Sequence, residues 1–118
     1  MKKLVLIIVL CLVPVAVFAE ELPVVCQEFP PYNHLDDDGN VTGSSVEIVT
    51  EILQKMGYKA DIRLLPWNRA YQAAADGDVA MLFTLTKSAE REKDFFFTDG
   101  FAFIEVMFFT RTAEKIPW

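Results

Sequence analysis

The stretch VAMLFTLTKSAER, residues 79–91, decides how the fold is interpreted. Its first half is a continuous apolar run, which is typical of a buried strand. Its second half places hydroxyls at Thr84, Thr86 and Ser88 and a guanidinium at Arg91. If Ser88 caps a short helix, these groups and the helix N–H donors suit a carboxylate. The alternative is that Ser88 only caps and that Arg91 pairs with Asp94 on the surface.

The segments on either side of this run predict further strands. Residues 22–26 are apolar and predict a first strand, and residues 59–64 alternate between apolar and charged side chains, as a half-buried strand does. Residues 79–85 form the third predicted strand. Residues 103–110 are rich in Phe, Val and Ile and predict one more.

Two helices are predicted between the strands. Residues 44–56 begin with a Ser-Ser-Val-Glu capping box, carry apolar residues at helical spacing and end at Gly57. The second helix begins at Pro66 and ends at Gly77. The resulting β-α-β-α-β order predicts an α/β fold with a doubly wound, mostly parallel sheet flanked by helices.

In an open α/β sheet, ligands bind beyond the carboxyl ends of the strands. The loop after the first strand, residues 28–32, places Phe29 and Tyr32 around two prolines, and a stiff aromatic is a good wall for a ligand. The alternative is that one of the two rings fills the core. Glu28 could hold an ammonium group, or it could be a solvated loop carboxylate.

The chain resembles the type II periplasmic solute-binding proteins, and within them solute-binding protein family 3, the polar amino-acid binders of ABC importers. The resemblance extends over residues 23–112. It rests on T-x-x-x-x-R-x-x-x-F-x-F-T at 86–98, FPPY at 29–32, the Gly39 to Gly43 segment with Glu47, LPWNRA at 65–70 and Gly77-Asp78.

The resemblance implies a substrate-binding component and a set of ligand contacts. By it, Tyr32 covers a bound amino acid, the carbonyl of Thr84 and the hydroxyl of Thr86 hold the α-amino group, and Arg91 holds the α-carboxylate. Many family members have Gly where this chain has Thr84. The implied partners are a small amino-acid-like ligand and the membrane permease of an ABC importer, and no cofactor is expected.

Residues 1–19 have the pattern of an export signal that is cleaved after Ala19: Lys2 and Lys3, an apolar run and a small-residue cleavage site. Their removal changes the net charge from −6 to −8, and an acidic chain argues against nucleic acid and anionic membranes as partners. The expected location is the periplasm. Cys26 is then the remaining cysteine and is predicted to be a buried, inert thiol.

The resemblance also implies the domain organisation. Residues 20–112 are expected to form an incomplete first lobe of a two-lobed fold, and residues 113–118 the start of a hinge or linker. Three alternatives to transport remain open: a sensory input module, an enzyme-associated module of the same fold, and a truncated remnant without activity.

Other candidate sites are weaker. Residues 36–47 match the ligand offsets of a calcium-binding EF-hand, but Val41 replaces the required Gly and no helix precedes, so a metal site is rejected. His34 is interpreted as solvated, and no residue set suggests catalysis. Trp67 is either core or ligand wall, and Arg69 is interpreted as an exposed helix charge.

Overall fold

The computed structural model describes residues 19–107 and 109–111. The chain divides into two compact units, residues 1–85 and residues 86–118. The predicted export signal lies outside the described residues, apart from Ala19. Within the described ranges, no helix is long and apolar enough to cross a membrane.

The first unit contains strands and helices in alternation along most of its described part. A short antiparallel hairpin interrupts this order before the first helix. The elements are β1 (Glu20–Cys26), β2 (His34–Leu35), β3 (Val41–Thr42), α1 (Ser44–Lys55), β4 (Tyr58–Leu64), α2 (Trp67–Ala75) and β5 (Met81–Leu82).

Three parallel strands form the main sheet, in the order β4-β1-β5. Glu20 lies opposite Tyr58 at one end of the β1–β4 pair, and Val24 lies opposite Met81 in the β1–β5 pair. The chain leaves β1 toward β4 and then returns across β1 to β5. Since parallel crossovers are right-handed, these opposite directions place α1 and α2 on opposite faces of the sheet. The predicted doubly wound α/β fold is confirmed.

The core lies between the sheet and α1. Val24 and Cys26 point to the same face of β1 and pack with Val49 and Leu53 of α1 and with Phe83. Val25 points to the opposite face, where α2 contacts β1 and β5. Burial raises the pKa of the Cys26 thiol to about 12, as the inert-thiol prediction requires.

Helix α1 begins as predicted, but the predicted capping box is wrong. Gly43 is the N-cap and no side chain bonds to the first turn. The N–H of Ser45 instead donates to the carbonyl of Tyr32 at 3.0 Å. A backbone carbonyl from the preceding loop thus satisfies a donor that a side-chain cap would otherwise take.

The third strand is shorter than residues 79–85, because only Met81 and Leu82 pair with β1. In the second unit, residues 91–93 form a single turn of 3-10 helix. The strand predicted at residues 103–110 is wrong for the residues described there, which are exposed and without regular structure. A strand needs a neighbour for its N–H and C=O groups, and none of the described residues of this unit is in a strand.

Candidate functional site

The carboxyl ends of β1 and β5 lie side by side, because the two strands are parallel neighbours. The chain continues from β1 toward one side of the sheet, whereas β5 lies on the other side of β1. A strand order that diverges in this way leaves a crevice at the carboxyl edge, which is where α/β folds bind ligands. The residues that follow β1 and β5 are therefore the first place to search for a site.

The aromatic loop, residues 28–33, follows β1. Phe29 and Tyr32 stack with ring centroids 5.5 Å apart and an interplanar angle of 16°. The loop closes on itself, since the N–H of Phe29 donates to the Asn33 carbonyl at 2.7 Å and the N–H of Asn33 donates to the Phe29 carbonyl at 3.1 Å. Both rings are half-buried, and the hydrophobic core of the described residues includes neither. Neither ring therefore fills the hydrophobic core of the described residues.

The start of α1 packs directly against this loop. The Ser45 N–H bonds to the Tyr32 carbonyl, and Gly43 is fully enclosed beside the same carbonyl. A Cβ at Gly43 would collide with the backbone of Tyr32 and Pro31. Only glycine allows this approach, and its φ of +123° is also one that other residues rarely adopt. The backbone of Tyr32 is therefore fixed by the helix that follows.

Asn33 is a buried polar residue that the sequence analysis did not single out. Its side chain is completely buried. The amide Nδ2 donates to the carbonyl of Gln27 at the end of β1, and Oδ1 accepts a hydrogen bond of 2.7 Å from the hydroxyl of Thr84 beyond β5. One amide thus connects the segments that follow two neighbouring strands. The available signal was weak, because an Asn after Pro-Pro-Tyr is an ordinary turn residue.

Thr84 has a backbone conformation that is unusual for its side chain. Its φ is +59°, in the left-handed region that β-branched residues rarely occupy. The hydrogen bond from the Thr84 hydroxyl to Asn33 helps threonine to hold this conformation.

In the second unit, Thr86 and Arg91 come together as the sequence analysis predicted. Nη1 of Arg91 donates to the Thr86 carbonyl at 2.8 Å and to the Thr86 hydroxyl at 2.6 Å. The Ser88 hydroxyl accepts the Arg91 N–H at 3.4 Å, and Lys87 pairs with Glu92 at 2.8 Å. The sequence analysis also predicted helix N–H donors for a carboxylate after Ser88. This prediction is wrong, because three residues of 3-10 helix do not align enough N–H groups to form an anion-binding terminus.

The predicted site residues fall in both units. Glu28, Tyr32 and Thr84 belong to the first unit, where Glu28 is exposed and the other two are half-buried. Thr86 and Arg91 belong to the second unit and are bonded to each other. The structure therefore provides two clusters, one aromatic with a backbone carbonyl and one with a guanidinium and a hydroxyl.

The β2–β3 hairpin contains the segment that was rejected as a metal site. The Asp36 carboxylate accepts the backbone N–H groups of Asn40 at 2.7 Å and Asp38 at 3.0 Å, and the Asn40 side chain at 3.2 Å. These hydrogen bonds lower the pKa of Asp36, and the bond from the Asn40 backbone has the largest effect. The carboxylate therefore closes the hairpin turn. The prediction that His34 is solvated is wrong for its Nδ1, which is buried and has no hydrogen-bond partner among the described residues.

Two further candidates lie on α2. Trp67 is half-buried and contacts Tyr71, with ring centroids 5.6 Å apart and tilted by 58°. Arg69 is exposed, as the sequence analysis predicted. Pro66 is the N-cap of this helix rather than its first residue.

Comparison with known proteins decides the family. Residues 24–116 match the sequence profile of the bacterial extracellular solute-binding proteins, family 3. The chain belongs to this family. The resemblance predicted from the motifs is therefore confirmed, and family 3 consists of binding proteins that are typically not enzymes.

Similar proteins support the same family. A probable histidine-binding protein of Neisseria gonorrhoeae is 24% identical over 90 residues, which is 75% of this chain and 34% of that protein. A putative L-cystine ABC transporter protein of Listeria monocytogenes is 32% identical with a TM-score of 0.61, over 68% of this chain and 35% of that one. An ancestral arginine-binding protein bound to arginine shares the fold, with 24% identity and a TM-score of 0.58 over 63% and 34% of the two chains. This family 3 chain spans about a third of the length of these relatives.

Proposed function

We propose that this family 3 chain is part of the substrate-binding component of an ABC importer and binds a polar amino acid or a similar small zwitterion. The observation that carries the proposal is the bonded pair of Arg91 and Thr86, which places a guanidinium against a hydroxyl at two expected ligand positions. Membership of the family supports it, as do similar proteins named for histidine, arginine and cystine.

The chemistry of the pair suits a zwitterion. The planar fork of Arg91 can hold an α-carboxylate through charge-assisted hydrogen bonds. The Thr86 oxygen has two lone pairs, of which one accepts the Arg91 N–H, so the second can accept a proton of the ammonium group. The bond between the two side chains also reduces the entropy that binding would otherwise cost.

The first unit, taken by itself, also contains residues that suit an amino-acid ligand. The Tyr32 ring would cover the ligand, as a half-buried aromatic on a fixed loop can do. The carbonyl of Thr84 would accept a proton of an ammonium group. The exposed Glu28 carboxylate would add a favourable charge for the ammonium group.

The proposal includes location and partners. The chain would be exported, lose residues 1–19 and act in the periplasm, where a membrane permease would receive the ligand. Neither a cofactor nor a nucleic acid takes part. The relatives named above are about three times longer than this chain.

The test is an NMR titration of the full chain with L-arginine, L-lysine, L-histidine and L-cystine as probes. We expect saturable shifts for at least one probe, with a Kd no tighter than about 1 mM, because a short chain buries little of a ligand. Arg91→Ala removes hydrogen bonds between charged groups, which contribute about 1.5–3 kcal/mol, so it should weaken binding by about tenfold or more and largely remove the shifts.

Two further variants sharpen the titration. Thr86→Val should weaken binding less than Arg91→Ala, because it removes a neutral group. Arg69→Ala is the matched control, since it removes an exposed guanidinium from α2 and should bind like the parent. If Arg91→Ala folds and binds as well as Arg69→Ala, Arg91 is a surface charge and the carboxylate role is wrong.

A further inference from the structure

We infer that Asn33 is a positioning residue that holds Tyr32 and Thr84, the two central ligand contacts of the first unit, in one fixed arrangement. The inference rests on the proposed function for its meaning in ligand binding. The hydrogen bonds of Asn33 with Gln27 and Thr84 connect the segments that follow β1 and β5, and we call this connection the latch. Its existence can be tested without a ligand.

The first observation is that Asn33 satisfies two different partners at once. It is completely buried, Nδ2 donates to the Gln27 carbonyl, and Oδ1 accepts the Thr84 hydroxyl at 2.7 Å. A buried polar group is costly unless it is hydrogen-bonded, so this residue must pair where it stands. An aspartate would lack the donor that the Gln27 carbonyl requires, and a leucine would lack both groups.

The second observation is where these bonds act. Asn33 follows Tyr32 directly and closes the aromatic loop through the backbone bonds with Phe29. Its other partner is Thr84, whose φ of +59° is unfavourable for threonine. A single amide therefore restrains both the loop that carries the aromatic wall and the residue whose carbonyl is proposed to accept the ammonium group.

The third observation is that the loop has support on its other side. The Tyr32 carbonyl accepts the Ser45 N–H, and Gly43 packs against the same backbone. Helix α1 thus fixes the backbone at Tyr32, while Asn33 fixes the end of the loop relative to β5. Breaking the Thr84 bond should free the loop without disturbing the β1–β4 pairing, because no residue of β4 takes part in the latch.

The experiment compares Thr84→Val with Thr84→Ser in the full chain by amide hydrogen exchange. Valine keeps the β-branched shape and removes the hydroxyl, whereas serine keeps the hydroxyl. The reporters are the loop amides of Phe29, Tyr32 and Asn33, with the β1 amides of Val24 and Val25 as the reference for overall stability.

In Thr84→Val, we expect the loop amides to exchange at least about tenfold faster, equivalent to ~1.4 kcal/mol, while the β1 amides change less than about threefold. Thr84→Ser should leave both sets near the parent. If the loop and β1 amides accelerate together, the bond acts only on overall stability and the inference is wrong. It is also wrong if the loop rates in Thr84→Val match those of the parent.

The outcome is independent of the ligand titration. If none of the four amino-acid probes binds the parent chain, the proposed function fails, and the exchange rates still decide whether the latch exists. If a probe binds and the latch exists, Thr84→Val should also weaken binding of that probe relative to Thr84→Ser.

Discussion

The carbonyl of Tyr32 accepts the N–H of Ser45 at 3.0 Å, so the aromatic loop serves as the cap of helix α1. This bond requires the chain to pass through Gly43 in a conformation with φ of +123°. The loop that carries the proposed ligand wall and the first helix are therefore one structural unit, and a change at Gly43 acts on both.

Replacement of Gly43 by alanine should be strongly destabilising. The new Cβ would collide with the Tyr32 and Pro31 backbone, and the backbone conformation is one that alanine avoids. We expect the free energy of unfolding in urea to fall by about 3 kcal/mol or more. Gly39→Ala is the matched control, because Gly39 has φ of +83° but open space around it, and should cost about 1 kcal/mol. Equal losses in the two variants would contradict the proposed close contact.

The Cys26 thiol should be unreactive in the folded protein. Its pKa is raised to about 12 by burial, and the thiolate is the reactive form. In a Cys11→Ser chain, where Cys26 is the sole cysteine, we expect Ellman's reagent to react at pH 8 only after urea unfolds the protein. Rapid reaction without urea would show that the β1 core is open.

The same thiol gives a pH dependence with a definite sign. Between the ordinary pKa of a thiol and about 12, the unfolded state loses the proton and the folded state keeps it, so the free energy of unfolding falls as pH rises. Urea midpoints of the Cys11→Ser chain at pH 7.5 and 10 should differ more than those of Cys11→Ser/Cys26→Ala, in which this titration is absent. Equal differences would contradict the raised pKa.

The exposed apolar residues within 101–107, together with Phe109, should make the chain self-associate and bind a hydrophobic dye. Phe103 is 91% exposed and Phe109 is 95% exposed, and Glu105 is the single charged residue of the sequence 101–109. Phe103→Ser should lower dye fluorescence and the sedimentation coefficient at high concentration. Met56→Ser, at an exposed position of α1, should change both much less. A monomeric parent that does not bind the dye would contradict this prediction.

The predicted export signal leads to a prediction about the first residue of the exported protein. Lys2 and Lys3, the apolar run and the small residues before Glu20 favour cleavage after Ala19. Mass spectrometry of chain recovered from the periplasm of an expressing bacterium should show Glu20 as the first residue. A retained Met1, or a lipid on Cys11, would show that the segment is an anchor.

Much of the fold was predictable because local patterns and the core agree. The period-two pattern before Leu64 and the helical spacing of Val49 and Leu53 predicted β4 and α1, and the same apolar residues form the core. Gly57 and Gly77 were predicted as helix ends, and both have the positive φ that follows a helix. Where burial and local preference coincide, the spacing of the apolar residues is sufficient to predict a helix or a strand.

The predictions that failed depended on partners far away in the chain. Residues 103–110 have strong strand preference, but a strand forms only where another strand offers its N–H and C=O groups. The predicted capping box at Ser44 failed for a related reason, because the carbonyl of Tyr32 accepts the N–H of Ser45 in the first turn of the helix. His34 was taken as solvated because of its polar neighbours, although Nδ1 is buried.

The sequence by itself determined the β-α-β-α-β order and the motifs of the family, since each depends on residues close together in the chain. Only the tertiary structure revealed the role of Asn33. Its bond to Thr84 joins residues 51 positions apart, and it exists because the parallel pairing of β1 with β5 brings their carboxyl ends together. The partners of the Asn33 amide come within hydrogen-bond distance only when the sheet is formed. The residue type of Asn33 and its neighbours in the sequence therefore could not identify these partners.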